Sequence, residues 1–139
     1  MKYPPVFYEF FAGGGMARAG LGSGWTCAFA NDFDPVKAQG YCANWGDREL
    51  KCCDVAQIAV SELRGIADLA WASFPCQDLS LAGEGRGLGV AASAAATRSG
   101  AFWPFWALMQ ALAGERRAPR MIVLENVCGV LSSRCHSQG

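Results

Sequence analysis

One cysteine of the sequence stands where its thiol could act as a nucleophile. Cys76 follows Pro75 and comes directly after the apolar run DLAWASF, over 68–74. Pro75 restricts its own backbone and favours extended geometry at Phe74, which would hold the sulfur at the tip of a strand. A free thiol has a pKa near about 8.5, so a nucleophilic cysteine needs backbone donors, a positive neighbour or a helix terminus. By composition alone, such a cysteine is more often a small buried hydrophobe.

A carboxylate and an amide end a second apolar run. Glu125 and Asn126 close the segment MIVLENV, over 121–127. A carboxylate at the end of a buried strand is expensive to desolvate, so the position favours an acid/base role over a structural cap. If the strands before Cys76 and before Glu125 are parallel neighbours, both side chains open on the same crevice. The pattern then pairs a nucleophile with an acid.

Glycines and acidic residues nearer the amino terminus are typical of a nucleoside-type cofactor site. Glycines 13–15 directly follow an apolar run, which allows a tight turn and close backbone approach, although GxGxxG is not strictly met. Asp32 lies about twenty residues further on, where an acidic side chain accepts hydrogen bonds from ribose hydroxyls. Phe33 offers a flat face for adenine. Asp54 could accept from an exocyclic amine or serve as a helix N-cap, and the two roles can coexist.

These residues need a scaffold that brings strand ends together. The sequence predicts five strands, at 6–12, 25–31, 50–55, 68–73 and 121–127. It predicts helices at 16–21, at 32–45 with Asp34 as N-cap and Pro35 in the first turn, at 55–66 and at 101–114. Strands that alternate with helices indicate an α/β fold with a doubly wound, mostly parallel sheet. The Gly- and Ser-rich stretch 81–100 is too long for an ordinary connection and predicts an active-site loop.

Composition narrows the function classes. The chain has 139 residues, enough for one domain, with 12 basic and 12 acidic side chains, so no net charge attracts nucleic acid. Seven cysteines include no CxxC pair, and the lone His136, beside Cys135, has no further ligands within reach in sequence, which predicts reduced thiols and no metal site. No uninterrupted apolar run reaches membrane-spanning length. We therefore expect a cytoplasmic protein.

Several motifs together resemble one family. FFAGGGMARAGL, NDFDPVKAQGY, CCDV, SFPCQDLSLAG, RSGAFW and IVLENVCGVL follow the order and spacing of DNA (cytosine-5) methyltransferases of the bacterial or phage, restriction-modification type. The resemblance runs from about Val6 to Leu131. It implies the Rossmann-like fold of methyltransferases that use S-adenosylmethionine. The residues that it implies for cofactor binding are Phe11, Gly13, Gly15, Asp32, Phe33, Asp54, Val55 and Pro75.

The resemblance also implies a reaction and a partner. Cys76 would attack C6 of a cytosine flipped out of double-stranded DNA, while Glu125 would hold and protonate the ring nitrogen. Gln77 and Asn126 would belong to the same catalytic group. The residues implied for DNA contact are Gln77, Ser80 and Arg98. The implied activity is methyl transfer from S-adenosylmethionine to C5 of cytosine.

The sequence departs from the family after about residue 131. It lacks an arginine-rich catalytic motif of the Gln-Arg-Arg kind, a target-recognition region and the segment that completes the cofactor pocket. We therefore expect residues 1–139 to be a partial, truncated catalytic domain, and truncation, a frameshift and a split gene with a complementing C-terminal chain all stay open. Two other functions also stay open: an inactive remnant that binds the cofactor or a partner, and an RNA cytosine methyltransferase.

Overall fold

The protein is described by a computed structural model that covers residues 3–74 and 98–126. Within these ranges five strands form one sheet: β1 (Val6–Phe10), β2 (Thr26–Asp32), β3 (Leu50–Cys52), β4 (Leu69–Ala72) and β5 (Met121–Leu124). The helices are α1 (Met16–Leu21), α2 (Pro35–Trp45) and α3 (Phe102–Gly114). Every strand pair is parallel, and the order is β3-β2-β1-β4-β5. The predicted α/β class with a parallel sheet is confirmed.

Both faces of the sheet are covered, as its sequence pattern requires. Neighbouring residues of β1 point to opposite faces, so Phe7 and Tyr8 belong to different core clusters. On one face, Tyr8 and Phe10 pack with buried residues of α3 such as Phe105. On the other face, Phe7 packs with Tyr41 of α2. The two-sided core explains why β1 is almost continuously apolar.

Helix α2 begins where the sequence predicts. The side chain of Asp34 accepts a hydrogen bond from the N–H of Val36 at 2.9 Å, and Pro35 follows it as the first helical residue. Proline suits this position because its missing N–H would have no partner inside the helix. The helix ends at Gly46, whose N–H donates to the carbonyl of Cys42.

The predicted third helix, over 55–66, is wrong. This segment contains two short 3-10 turns, Val55–Gln57 and Val60–Glu62, joined by extended backbone at Ile58. Side chains from elsewhere in the chain bind carbonyls toward the carboxyl end of the segment: Arg117 donates to the carbonyls of residues 60, 63 and 65, and the hydroxyl of Tyr8 donates to those of residues 64 and 65. The apolar spacing anchors the segment to the core without making it helical.

Candidate active site at the carboxyl edge of the sheet

Parallel strands bring their carboxyl ends to one edge of the sheet, and the predicted site residues follow those ends. The backbone leaves β1 at Phe11, β2 at Phe33 and β5 at Glu125. Such an edge is the usual ligand site of open α/β sheets. The scaffold thus gathers residues that are far apart in sequence.

Asp32 joins two of the turns at this edge. It is 6% exposed, and its Oδ2 accepts a hydrogen bond from the N–H of Gly13 at 2.7 Å. Its Oδ1 accepts from the N–H of Asp34 at 2.9 Å. One carboxylate therefore fixes the turn after β1 against the turn after β2. Each oxygen still has acceptor capacity for a further donor.

The turn after β1 has an unusual backbone. Phe11 has a φ of 54° and Gly13 a φ of 55°, both in the left-handed region. A non-glycine residue there is uncommon and marks a conformation that the surrounding structure must enforce. A Cβ added at Gly13 would meet no atom of the described residues within 4 Å, so they leave that side of the turn uncovered.

Three further residues predicted for the cofactor have different surroundings. Phe33 is 69% exposed, so its ring face is available. Asp54 accepts from the N–H of Ala56 at 2.9 Å, which confirms the capping role and leaves the amine contact a prediction. Val55 is buried in the core cluster beside α3, and its contact with a cofactor also stays a prediction.

On the other half of the edge, β4 and β5 are adjacent, as predicted. Ala72 pairs with Leu124, and the N–H of Glu125 donates to the carbonyl of Ala72 at 2.9 Å. The side-chain amide of Asn126 donates to the carbonyl of Phe74 at 3.2 Å. Asn126 thereby ties the end of β5 to the residue that precedes Pro75. Glu125 itself is exposed.

Several predicted residues lie outside the described part of the chain. These are Pro75, Cys76, Gln77 and Ser80, together with most of the predicted 81–100 loop. Arg98 begins a short 3-10 turn, Arg98–Ala101, but its side chain is likewise not described. The facing of Cys76 and Glu125 therefore stays a prediction. What the structure contributes is the adjacency of the two strands that lead to them.

Sequence reasoning missed Glu9, a buried carboxylate that binds the backbone of α1, the helix that follows the glycine turn. Glu9 lies in β1, is 1% exposed, and its Oε1 accepts from the N–H of Ala17 in α1 at 3.1 Å. Its Oε2 has no hydrogen-bond partner among the described residues. Burial raises the pKa of Glu9 to about 7. The signal that could have found it is a lone charge inside an otherwise apolar strand.

The described residues contain neither a metal-binding cluster nor a membrane-spanning helix. No group of three or more His, Cys, Asp or Glu side chains is placed to hold a metal ion in residues 3–74 and 98–126. In the same ranges, every helix is too short or too polar to cross a membrane.

Known proteins similar to this chain are methyltransferases. It is 30% identical over 129 residues to the Type II methyltransferase M.BsuFI of Bacillus subtilis, an alignment that covers 92% of this chain and 28% of that protein. It is 32% identical over 135 residues to the Type II methyltransferase M.AluI of Cellulosimicrobium cellulans, covering 92% of this chain and 23% of that protein. The chain thus spans only about a quarter of the length of these relatives.

A solved structure and a family model complete the comparison. The crystal structure of the S. pombe Dnmt2 methyltransferase matches 94% of this chain and 38% of its own chain, with a TM-score of 0.69 and 21% identity, which supports the methyltransferase fold. The model of the C-5 cytosine-specific DNA methylase family matches residues 6–138. The chain therefore belongs to the C-5 cytosine-specific DNA methylase family.

Proposed function

We propose that this chain binds S-adenosylmethionine and supplies the nucleophile and the acid that transfer its methyl group to C5 of cytosine in DNA. In this proposal residues 1–139 are a partial catalytic domain. The partner is double-stranded DNA with the target cytosine flipped out of the stack, because chemistry on C6 and C5 needs access to the ring.

The β1–β2 half of the edge fits such a cofactor. Asp32 is a buried carboxylate with spare acceptor capacity, which suits the hydroxyls of a ribose. The exposed ring of Phe33 follows it directly and suits adenine. The open side of Gly13 lets a ligand approach the backbone closely. When bound, the cofactor would supply an electrophilic methyl group from its sulfonium sulfur, and the rest of it would leave as the neutral thioether.

The remaining steps belong to the chain's own residues. The thiolate of Cys76 forms a bond to C6, and the ring electrons that move make C5 nucleophilic enough to take the methyl group. Glu125 holds a proton at the ring nitrogen during this attack. Solvent then takes the proton from C5, the carbon–sulfur bond breaks, and the proton on the ring nitrogen returns to Glu125, which restores the aromatic ring and the thiolate.

The observation that supports this assignment best is the contact between Asn126 and Phe74. It ties the residue after Glu125 to the residue before the Pro75–Cys76 pair. Because β4 and β5 are paired and this hydrogen bond joins their ends, Cys76 and Glu125 are each within two residues of the same contact. This closeness restricts how far the thiol and the carboxylate can separate, which favours a reaction that needs both.

The relatives are much longer than this chain, and their length indicates what further polypeptide the enzyme needs. The alignments cover 28% and 23% of M.BsuFI and M.AluI. We propose that further polypeptide, such as a complementing C-terminal chain, completes the DNA-binding part of the enzyme. The balanced charge agrees with this division, because 12 basic and 12 acidic side chains give little electrostatic attraction to phosphates. Seven cysteines without a CxxC pair support a cytoplasmic location for the proposed enzyme.

The test is transfer of a labelled methyl group from S-adenosylmethionine to cytosine-containing DNA, with and without a complementing chain. We expect transfer only with the complementing chain, together with cofactor binding by the 139-residue chain alone. Binding without transfer under every condition would instead support an inactive remnant. Transfer to RNA in preference to DNA would contradict the DNA substrate.

A further inference from the structure

We propose that Asn44 and Trp45, the last two residues of α2, are positioning residues that hold the turn Gly13–Gly15 in the conformation that receives the cofactor. The inference rests on the cofactor site proposed above and concerns residues that do not themselves reach the ligand.

Both side chains converge on one carbonyl of the turn. The amide Nδ2 of Asn44 and the indole Nε1 of Trp45 each donate to the carbonyl oxygen of Gly14, at 3.1 Å in both cases. A carbonyl has two acceptor lone pairs, so the two donors satisfy it fully. Because a carbonyl lies in its peptide plane, fixing its direction fixes the orientation of the peptide that joins Gly14 to Gly15.

The turn contacts Trp45 closely on one side. A Cβ added at Gly15 would lie 2.2 Å from Nε1 and 2.6 Å from Cδ1 of Trp45, far inside van der Waals contact. Gly15 also has a φ of 83°, which favours glycine for a second reason. At Gly13 no described residue lies within 4 Å of the corresponding position. Among the described residues the turn is thus packed on α2 at Gly15 and uncovered at Gly13, where a ligand can approach.

Residues of other elements fix the position of the Trp45 indole. The guanidinium of Arg18, in α1, lies 4.9 Å from the centre of the Trp45 ring. Arg18 also donates to the hydroxyl of Tyr41 at 3.0 Å and forms an ion pair with Glu49 at 3.3 Å. The indole is therefore placed by residues before, within and after α2. A donor held this firmly can select one conformation of the turn.

The physical reason for such support is the flexibility of glycine. Three consecutive glycines sample many backbone conformations, and a ligand that binds one of them is weakened by the fraction of time spent in the others. Hydrogen bonds to Gly14 raise the population of the competent conformation before the ligand arrives. Asn44 is exposed, and Trp45 is half-buried against the core, so conservative substitutions that remove only the two donor groups should change folding stability little.

The experiment measures S-adenosylmethionine binding to the 139-residue chain by calorimetry. Trp45→Phe keeps the ring over Arg18 but removes the N–H, and Asn44→Asp keeps the shape but replaces the donor with an acceptor. We expect the dissociation constant to rise about fivefold for Trp45→Phe and about tenfold for Asn44→Asp. The added loss should be mainly entropic, because the turn must then order on binding. With the complementing chain, KM for the cofactor should rise while kcat stays unchanged.

The matched control is Trp25→Phe, a tryptophan that packs on Phe7 beside the amino end of the sheet. It should bind the cofactor as the wild type does. Equal binding by the wild type and both α2 variants would overturn the positioning role and leave the cofactor site intact. An equal loss in the Trp25→Phe control would show a general packing effect and would also overturn it. If the wild type does not bind at all, the proposed cofactor site itself is wrong, and this inference with it.

Discussion

On the β1–β2 side of the carboxyl edge, the described chain supplies both the functional groups and their supports, whereas on the β4–β5 side it supplies much less. Asp32 is 6% exposed and bonded to two backbone N–H groups. On the other side, Met121 and Leu124 of β5 are 60% and 46% exposed. Within the described residues β5 pairs only with β4. Among the described residues, the β1–β2 side, proposed for the cofactor and called the cofactor half, contains its own supports, whereas the β4–β5 side, proposed for the chemistry, leaves apolar side chains of β5 exposed.

The largest expected effect is a loss of methyl transfer without a loss of cofactor binding. Cys76→Ser should abolish methyl transfer, by at least about a thousandfold, because a serine hydroxyl is far less acidic and less nucleophilic than a thiol. Cofactor affinity should stay within about twofold, since serine preserves the size of the side chain and leaves the neighbouring Pro75 unchanged. Labelled-methyl transfer and calorimetry measure the two quantities. A parallel loss of cofactor binding would show that the thiol is structural and that the halves are not separable.

A somewhat smaller effect tests the cofactor half alone. Asp32→Ala removes the acceptor for two backbone N–H groups and for the proposed ribose hydroxyls. We expect about a hundredfold weaker cofactor binding, roughly 3 kcal/mol. Asp34→Ala is the matched control, because it removes the N-cap of α2, about 1 kcal/mol of stability, without a predicted cofactor contact. An unchanged dissociation constant in Asp32→Ala would exclude the ribose role.

Glu9, in β1, predicts that the free energy of unfolding depends on pH. Its folded pKa is about 7, raised by burial above the usual 4.5. The folded state therefore binds the proton more tightly than the unfolded state, so the contribution is fully present below pH 4.5 and is lost as pH rises through 7. Glu9 should lower the free energy of unfolding by up to about 3 kcal/mol across this window.

The measurement is urea unfolding at intervals from pH 4.5 to 8, for the wild type and for Glu9→Gln. The glutamine keeps an acceptor for the N–H of Ala17 and does not titrate. We expect the difference in stability between the two proteins to shift in favour of the variant as pH rises. A constant difference would mean that Glu9 has an ordinary pKa in the folded chain.

The positions of the strands along the chain, and their alternation with helices, could be predicted from sequence because their signals are local. Val6–Phe10 is apolar and ends at a glycine turn, and Asp34 with Pro35 marks the start of α2. Asp32 was found because its distance from the glycines is a recognisable spacing. The adjacency of β4 and β5 followed from the alternation of strands and helices. These predictions needed no knowledge of tertiary contacts.

The errors and omissions arose where distant residues decide the local structure. The segment 55–66 has apolar residues near helical spacing, but Arg117 and Tyr8 bind its carbonyls from elsewhere in the chain. The supports of the glycine turn were missed for the same reason. Asn44 and Trp45 are about thirty residues from Gly14, and no short motif links them. Their role appears only when α2 is packed beside the turn.

The smallest effect on stability tests the open side of the sheet. Leu124 in β5 is 46% exposed, so Leu124→Lys should change the free energy of unfolding of the 139-residue chain by no more than about 0.5 kcal/mol. Leu69 in β4 is 3% exposed and is the matched control, where the same substitution buries a charge and should cost about 3 kcal/mol or more. Urea midpoints measure both. If additional polypeptide covers β5, Leu124→Lys should nevertheless reduce the methyl transfer restored by a complementing chain. Equal destabilisation by the two lysines would instead mean that β5 is already covered in the isolated chain, and the contrast between the two halves of the edge would be lost.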